Sequence, residues 1–136
     1  MTNFEEVVNK NIFPLGEENS TFADYFIGKS YLETLVNDPE KADAVVGHVT
    51  FEPRCRNNWH THVDGYQIIL VTGGKGWYQA QGEKAQLLEA GDVVAVPAGV
   101  SHWHGAANDS WFSHLAVTKG STDWHDSVTE DEYLTL

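Results

Sequence analysis

From residue 31 onward, the chain alternates short runs of β-branched and aromatic residues with turns that contain glycine and proline, and helical periodicity is nearly absent. Closely spaced short strands of this kind are typical of an all-β sandwich or barrel. The runs predict strands at residues 31–36, 45–51, 60–63, 67–71, 76–81, 85–88, 92–96, 102–106 and 111–117. The fold class that follows is all-β.

Glycine and proline mark the predicted connections between these strands. The segment 72–76 contains three glycines, which can take the positive φ of a tight turn, and it predicts a hairpin between its two flanking strands. Pro97 lacks a backbone N–H donor and therefore interrupts the ladder before His102 opens a new strand.

The 136 residues fit one domain that is long enough to bury a core of its own. Residues 1–30 are predicted to form an irregular N-terminal arm, residues 31–120 the β-barrel, and residues 121–136 a tail with a short helix. Ser127 or Thr129 can cap the first turn of that helix, and Glu130 or Glu132 can complete a capping box.

The charge balance bears on partners and on cellular location. Eight Lys and Arg against twenty Asp and Glu give a net charge of −12, which repels nucleic acid and anionic membranes. Cys55 is the only cysteine and cannot form an intrachain disulfide, so a reducing compartment fits best. The first residues are acidic where a signal peptide is basic, so we expect a cytoplasmic protein.

Two pairs of histidines have the spacing of metal ligands on strands. His60 and His62 lie two positions apart, as do His102 and His104, so the imidazoles of each pair point to the same face of an extended strand. By alternation Asp64 continues the face of the first pair, whereas Gln67 follows Gly65 and is predicted to lie on the next strand after a turn. Either residue can supply an oxygen ligand.

The residues around these histidines resemble the two sequence motifs of the cupin family. The first motif is G-x5-H-x-H-x(3,4)-E-x6-G, which His60, His62 and Gly74 match, whereas Arg54 and Gln67 depart from it. The second motif is G-x5-P-x-G-x2-H-x3-N, and its matching positions are Gly91, Pro97, Gly99 and His102, with Ala106 in place of the asparagine. The resemblance covers about residues 45 to 118.

This resemblance implies a jelly-roll β-barrel that holds one divalent transition metal. The implied ligands are His60, His62, Gln67 and His102, with Gln67 in place of the usual glutamate and Asp64 as the alternative oxygen donor. Three imidazoles and one oxygen suit Mn, Fe, Ni, Cu or Zn better than Mg or Ca, and affinity order alone does not choose among the first five. We rank Mn or Fe first, and then Zn or Ni. Family resemblance also implies a homodimer, because cupin sheets often pair.

Three further histidines are candidates for a general base, because an imidazole can take and return a proton near neutral pH. These are His104, His114 and His48. The stretches around His60, His102 and His114 resemble small bacterial cupins that include manganese-dependent hydroxynitrile lyases. In that subgroup the metal ligands are two histidines, a glutamine and a third histidine. The resemblance implies that His114 corresponds to the subgroup's catalytic base. One extra residue between His62 and Gln67 departs from its spacing.

The resulting function hypothesis is a metal-dependent enzyme that acts on a small molecule through a Lewis-acid metal and a histidine base. The resemblance implies a lyase of the hydroxynitrile lyase type. A metal-dependent dioxygenase is an alternative within the same class. A non-catalytic small-molecule binding or sensing module, and a barrel that zinc merely stabilises, are alternatives from other classes. Candidates for an aromatic cavity wall are Trp59, Tyr66, Trp77, Tyr78, Trp103, Trp111 and Phe112, each of which core or interface packing also explains.

Overall fold

The computed structural model describes residues 2–136 and confirms the all-β class. Its ten strands are β1 (Glu17–Glu18), β2 (Phe26–Ile27), β3 (Ser30–Val36), β4 (Val45–Phe51), β5 (Arg56–Asn57), β6 (His60–Ala80), β7 (Gln86–Glu89), β8 (Val93–Pro97), β9 (His102–Ala106) and β10 (Phe112–Trp124). A π-helical turn (Glu5–Asn9), a 3₁₀ turn (Ala23–Tyr25) and helix α1 (Glu130–Leu134) complete the secondary structure.

All ten strands belong to one curled sheet, ordered β1-β3-β4-β10-β6-β9-β5-β2, with β7 and β8 paired to the two halves of β6. The 21-residue strand β6 pairs with β10 along most of its length, so these two strands form the longest paired segment of the barrel. Their inner faces point into a shared interior, and period-two alternation fixes which side chains reach it.

The predicted hairpin at residues 72–76 is wrong. Strand β6 runs through this segment, and it changes partners there from β8 to β7 while β10 stays alongside. Gly74 does take a positive φ of 74°, but as a bend within the strand, where a Cβ would lie 1.8 Å from the carbonyl oxygen of Trp111. The glycine therefore permits close approach of two backbones instead of a chain reversal.

The predicted turn before Gln67 is also wrong, because a β-bulge takes its place. Val63 pairs with Ser121 and Tyr66 with Lys119, so two residues of β6 stand opposite Gly120 alone. Asp64 adopts a positive φ of 57° within this bulge. In a regular strand, residues five positions apart point to opposite sides. The extra residue of the bulge shifts the alternation by one position, so residues 62 and 67 point to the same side.

The interior divides into an apolar half and a polar half. The apolar half is a cluster of buried side chains from several strands: Phe51, Cys55, Ile69, Val71, Tyr78, Ala80, Leu88, Val96, Ala106 and Phe112. The histidines of β6 and β9 occupy the other half. A second small cluster, Trp103 with Val128 and Tyr133, lies outside the barrel under the C-terminal segment.

The arm and the tail both pack on the barrel of their own chain. The amide of Asn3 bonds the hydroxyl of Ser110 at 2.8 Å and the backbone N–H of Trp111 at 2.7 Å, and Val7 is buried. In the tail, Thr129 caps α1 and forms the capping box with Glu132, one of the two predicted pairs. No helix within residues 2–136 combines the length and the hydropathy needed to cross a membrane.

Candidate metal centre

Neighbouring strands bring three of the predicted ligands together inside the barrel. His60 and His62 project from the start of β6, and His102 opens the adjacent β9, where it pairs with His60. One ring nitrogen of each residue lies within 4.8 Å of the other two, and all three side chains are buried. The cluster is able to bind a metal ion.

Backbone and hydroxyl oxygens fix the orientation of the three rings. The Nδ1 atoms of His60 and His102 donate to the carbonyl oxygens of Asn58 at 2.8 Å and Val100 at 3.0 Å. The Nδ1 of His62 bonds the hydroxyl of Thr122 at 3.2 Å. A neutral imidazole that donates through Nδ1 keeps its lone pair on Nε2, and this is the arrangement of metal-binding histidines.

Two observations indicate that a cation fits between these nitrogens. The Nε2 of His62 is buried without a hydrogen-bond partner among the described residues, although such orphans are rare in folded proteins. The Nε2 of His102 lies 3.2 Å from the Oε1 of Gln67 while its Nδ1 donates elsewhere, so two acceptors face each other. A bound cation satisfies all of these lone pairs.

Burial keeps the three rings in the neutral form that metal binding requires. Burial lowers the pKa of His102 to about 4. Burial, with the nearby His102 as a second cause, holds the pKa of His60 well below its usual range, and burial also lowers the pKa of His62. At neutral pH no ring proton competes with a metal for the converging nitrogens.

The two oxygen donors of the sequence hypothesis occupy different environments. Gln67 is buried, its Oε1 faces His102, and its amide nitrogen donates to the hydroxyl of Thr118 at 3.1 Å. Asp64 lies in the bulge with an exposed side chain and does not belong to the histidine cluster. Gln67 is therefore the oxygen donor that the geometry favours.

His104 and His114 form a buried pair beside the cluster. The Nδ1 of His114 donates to the carbonyl oxygen of Leu115 at 3.2 Å, so its Nε2 accepts from the Nδ1 of His104 at 3.1 Å. Burial lowers the pKa of His114 to about 3, and burial followed by the neighbouring His114 holds the pKa of His104 well below its usual range. Both rings are neutral at pH 7.

His48, the third candidate base, does not reach this interior. Its side chain is buried on the outer face of β4, beneath the N-terminal arm. Its Nδ1 donates to the carbonyl oxygen of Pro14 at 3.1 Å, and its Nε2 accepts from the hydroxyl of Thr72 at 2.8 Å. His48 does not line the cavity, because alternation along β4 turns it away from the face that Gly47 and Val49 present.

A cavity of about 470 Å³ connects the histidine cluster with the His104–His114 pair. In the described part of the chain, no Lys, Arg, Asp or Glu lines it. Its aromatic wall consists of Phe22, Phe26 and Trp124, so none of the aromatic residues proposed from the sequence contributes to it. Phe112 belongs to the core, and Trp103 packs outside the barrel.

Sequence reasoning missed three residues around the site. Trp124 stacks on Tyr25 with ring centroids 4.6 Å apart and lies 4.7 Å from the ring of His60. Thr122 holds His62, and Asn57 accepts the backbone N–H of His104 at 2.9 Å. The even-numbered alternation Phe112, His114, Ala116, Thr118 continues to Thr122 and Trp124, and it was the available signal.

Comparison with known proteins places these features in a family. Residues 47–118 match the cupin domain family. The chain is 39% identical over 115 residues to "(R)-mandelonitrile lyase" of Granulicella tundricola, a match that covers 82% of this chain and 87% of that protein.

Solved structures share the same fold. A cupin-like protein from Thermotoga maritima superposes with a TM-score of 0.86 and 41% identity, covering 93% of this chain and 96% of that one. A predicted oxalate decarboxylase from Thermotoga maritima superposes with a TM-score of 0.69, covering 85% and 98% of the two chains. At 19% sequence identity, this comparison shows a shared fold and nothing about activity. The predicted cupin jelly-roll barrel is confirmed.

Proposed function

This chain belongs to the cupin domain family, and from that premise we propose that it is a metal-dependent lyase that cleaves a neutral cyanohydrin into an aldehyde and hydrogen cyanide. One observation carries the proposal: a neutral histidine pair and a cluster of converging histidine nitrogens face the same uncharged cavity. The 39% identity with "(R)-mandelonitrile lyase" supports the choice of reaction.

The proposed metal ligands are His60, His62, His102 and Gln67. A divalent ion held there supplies Lewis-acid polarisation of a substrate hydroxyl or carbonyl oxygen. The amide oxygen of Gln67 adds no negative charge, so the ligand set leaves the full charge of the ion available to the substrate. Mn or Fe is the metal that we propose first, and Zn or Ni second.

The proposed catalytic residues are His114 and His104. The hydroxyl proton of the cyanohydrin passes to the Nε2 of His114 once the substrate hydroxyl replaces His104 as its hydrogen-bond donor. The C–O bond becomes C=O, the C–CN bond breaks with its electron pair on cyanide, and the same proton is returned to form HCN. The carbonyl of Leu115 fixes the tautomer that this transfer requires.

The test combines metal analysis with an activity assay on untagged protein. We expect near-stoichiometric Mn or Fe by plasma mass spectrometry, and release of benzaldehyde from mandelonitrile followed by its absorbance. Absence of bound metal after addition of Mn, Fe, Ni and Zn would sink the metal site. Metal without cyanohydrin cleavage, but with oxygen uptake on phenols or diketones, would replace the lyase with a dioxygenase.

We also propose that the protein is a cytoplasmic homodimer that binds neither nucleic acid nor membranes. The outer face of the sheet supports the dimer, because Val117 pairs with Val46 and Ile68, and Leu115 pairs with Leu70, in two adjacent apolar rows. Sedimentation equilibrium of the wild type and of Leu70→Lys tests it, and a monomeric wild type would reject it.

A further inference from the structure

The cavity extends well beyond the residues that surround the proposed metal. Thr118 on β10 pairs with Gln67 on β6 and with Val45 on β4. Two residues further along β4, Gly47 pairs with Thr34 on β3. All five residues line the cavity. Four adjacent strands at about 4.8 Å spacing give this floor a width of roughly 14 Å.

Gly47 creates the open space in the outer part of this floor. It lies in the middle of β4 without a positive φ, so its backbone conformation does not require glycine. A Cβ at this position would meet the flexible tip of Leu32 at 3.1 Å, and its next neighbour is the carbonyl oxygen of Glu33 at 3.7 Å. A larger side chain at residue 47 would occupy the cavity itself.

The chemistry of this outer part differs from that of the metal end. Leu32, Val45 and Gly47 present apolar surface, and Thr34 and Asn37 add uncharged polar groups where the cavity opens to solvent. The volume of 470 Å³ falls in the range of about 300 to 1,000 Å³ that is typical of sites for drug-sized molecules. A single-ring cyanohydrin that occupies the metal end leaves this part unfilled.

We propose that Leu32, Thr34, Asn37, Val45 and Gly47 form an outer subsite that binds the apolar body of a two-part neutral substrate. The reactive hydroxyl or carbonyl group lies at the metal end, and a second ring or an alkyl chain crosses β10 and β4 toward β3. This proposal rests on the proposed function for the position of the reactive group. It names the substrate class: uncharged hydroxy or carbonyl compounds larger than mandelonitrile.

The experiment compares the binding of two aldehydes to the metal-loaded protein by calorimetry. The probes are benzaldehyde and 4-phenoxybenzaldehyde, which adds one uncharged ring. Because the second ring becomes buried, we expect the dissociation constant of the larger probe to be lower by at least about tenfold. In Gly47→Leu this preference falls to about one, whereas Leu87→Phe, which enlarges an exposed residue outside the cavity, keeps it.

Metal content and the thermal midpoint show whether Gly47→Leu is folded. If Gly47→Leu does not fold, Thr34→Trp is used to obstruct the same subsite. Equal binding of the two probes to the wild type overturns the subsite, as does a preference that survives in both variants or a failure of both aldehydes to bind. Preferential binding of 4-phenoxybenzaldehyde without cleavage of any cyanohydrin supports the subsite and rejects the lyase, so the two proposals fail separately.

Discussion

The inner face of the sheet buries five histidines and the outer face buries one, His48, and the two faces differ in what the ring nitrogens contact. On the outer face, the carbonyl of Pro14 and the hydroxyl of Thr72 satisfy both ring nitrogens of His48. On the inner face, the Nδ1 of His62 has a partner and its Nε2 has none among the described residues. Burial lowers the pKa on both faces. The unsatisfied nitrogen therefore distinguishes a binding site from structural packing.

The sharpest test of this comparison removes one histidine from each face. His62→Ala should reduce the metal content from near-stoichiometric to background and abolish activity, because it deletes a proposed ligand. His48→Ala should keep the metal and lower the unfolding free energy by about 1 to 3 kcal/mol, because it removes the two hydrogen bonds of a buried side chain. Metal analysis and urea denaturation measure both, and equal metal loss in the two variants would erase the distinction.

His114→Ala tests whether the second inner histidine group serves chemistry instead of metal binding. Because a positioned general base contributes roughly 10² to 10⁴ in rate, we expect kcat to fall by that factor while the metal content stays near-stoichiometric. Steady-state kinetics with mandelonitrile, alongside metal analysis, provide the readout. His48→Ala should remain within a few-fold of wild type in the same assay, and an equal loss there would remove the catalytic assignment.

Thr122→Val probes the hydrogen bond that holds His62 from behind. The substitution is close to isosteric and removes the hydroxyl that contacts the Nδ1 of His62 at 3.2 Å. Loss of such an orienting partner typically weakens metal binding by about 10- to 100-fold. Competition with a chelator measures the dissociation constant. Thr72→Val, which removes the hydroxyl partner of His48, is the matched control and should leave metal affinity unchanged.

Acid should lower the unfolding free energy of the metal-free protein through buried histidines on both faces of the sheet. Burial lowers the pKa of His114 from 6.5 to about 3 and also lowers the pKa of His48. Between these values the unfolded chain binds protons that the folded chain does not, so stability falls as the pH drops from 6.5 toward 3. Each group contributes up to about 1.4 kcal/mol per pH unit. Urea denaturation at pH 5 and 7 should give a shallower pH dependence in His48→Asn, and an unchanged slope would contradict this account.

Sequence patterns predicted the fold better than they predicted the connections within it. Strand β9 has the predicted bounds, and Thr129 with Glu132 forms a predicted capping box. The glycines near Gly74 failed as a turn signal, because positive φ serves equally in a bend that lets two strands approach. Only tertiary pairing decides between these uses.

The site was predictable as far as period-two alternation and motif spacing reach. Alternation placed His60 and His62 on one face and predicted that His102 and His104 would project away from Trp103, which packs outside the barrel. It also continued that face to Asp64, whereas residues 62 and 67 lie on opposite sides of a regular strand. The bulge reverses this, and its signal, Gly65 opposite Gly120, depends on two segments that are distant in sequence. The fully buried His48 shows that burial itself carries no sign of function.

The bulge at Asp64 and Gly65 also makes this point of the chain tolerant of length changes during evolution. In the regularly paired stretch from Tyr66 to Val71, deletion of one residue would turn every following side chain to the other face of the sheet. At the bulge, deletion of the unpaired residue would return the strand to regular alternation and leave His62 and Gln67 on the same side. Relatives with three or with four residues between these positions can therefore conserve one ligand geometry, and an aligned gap there need not signal a different site.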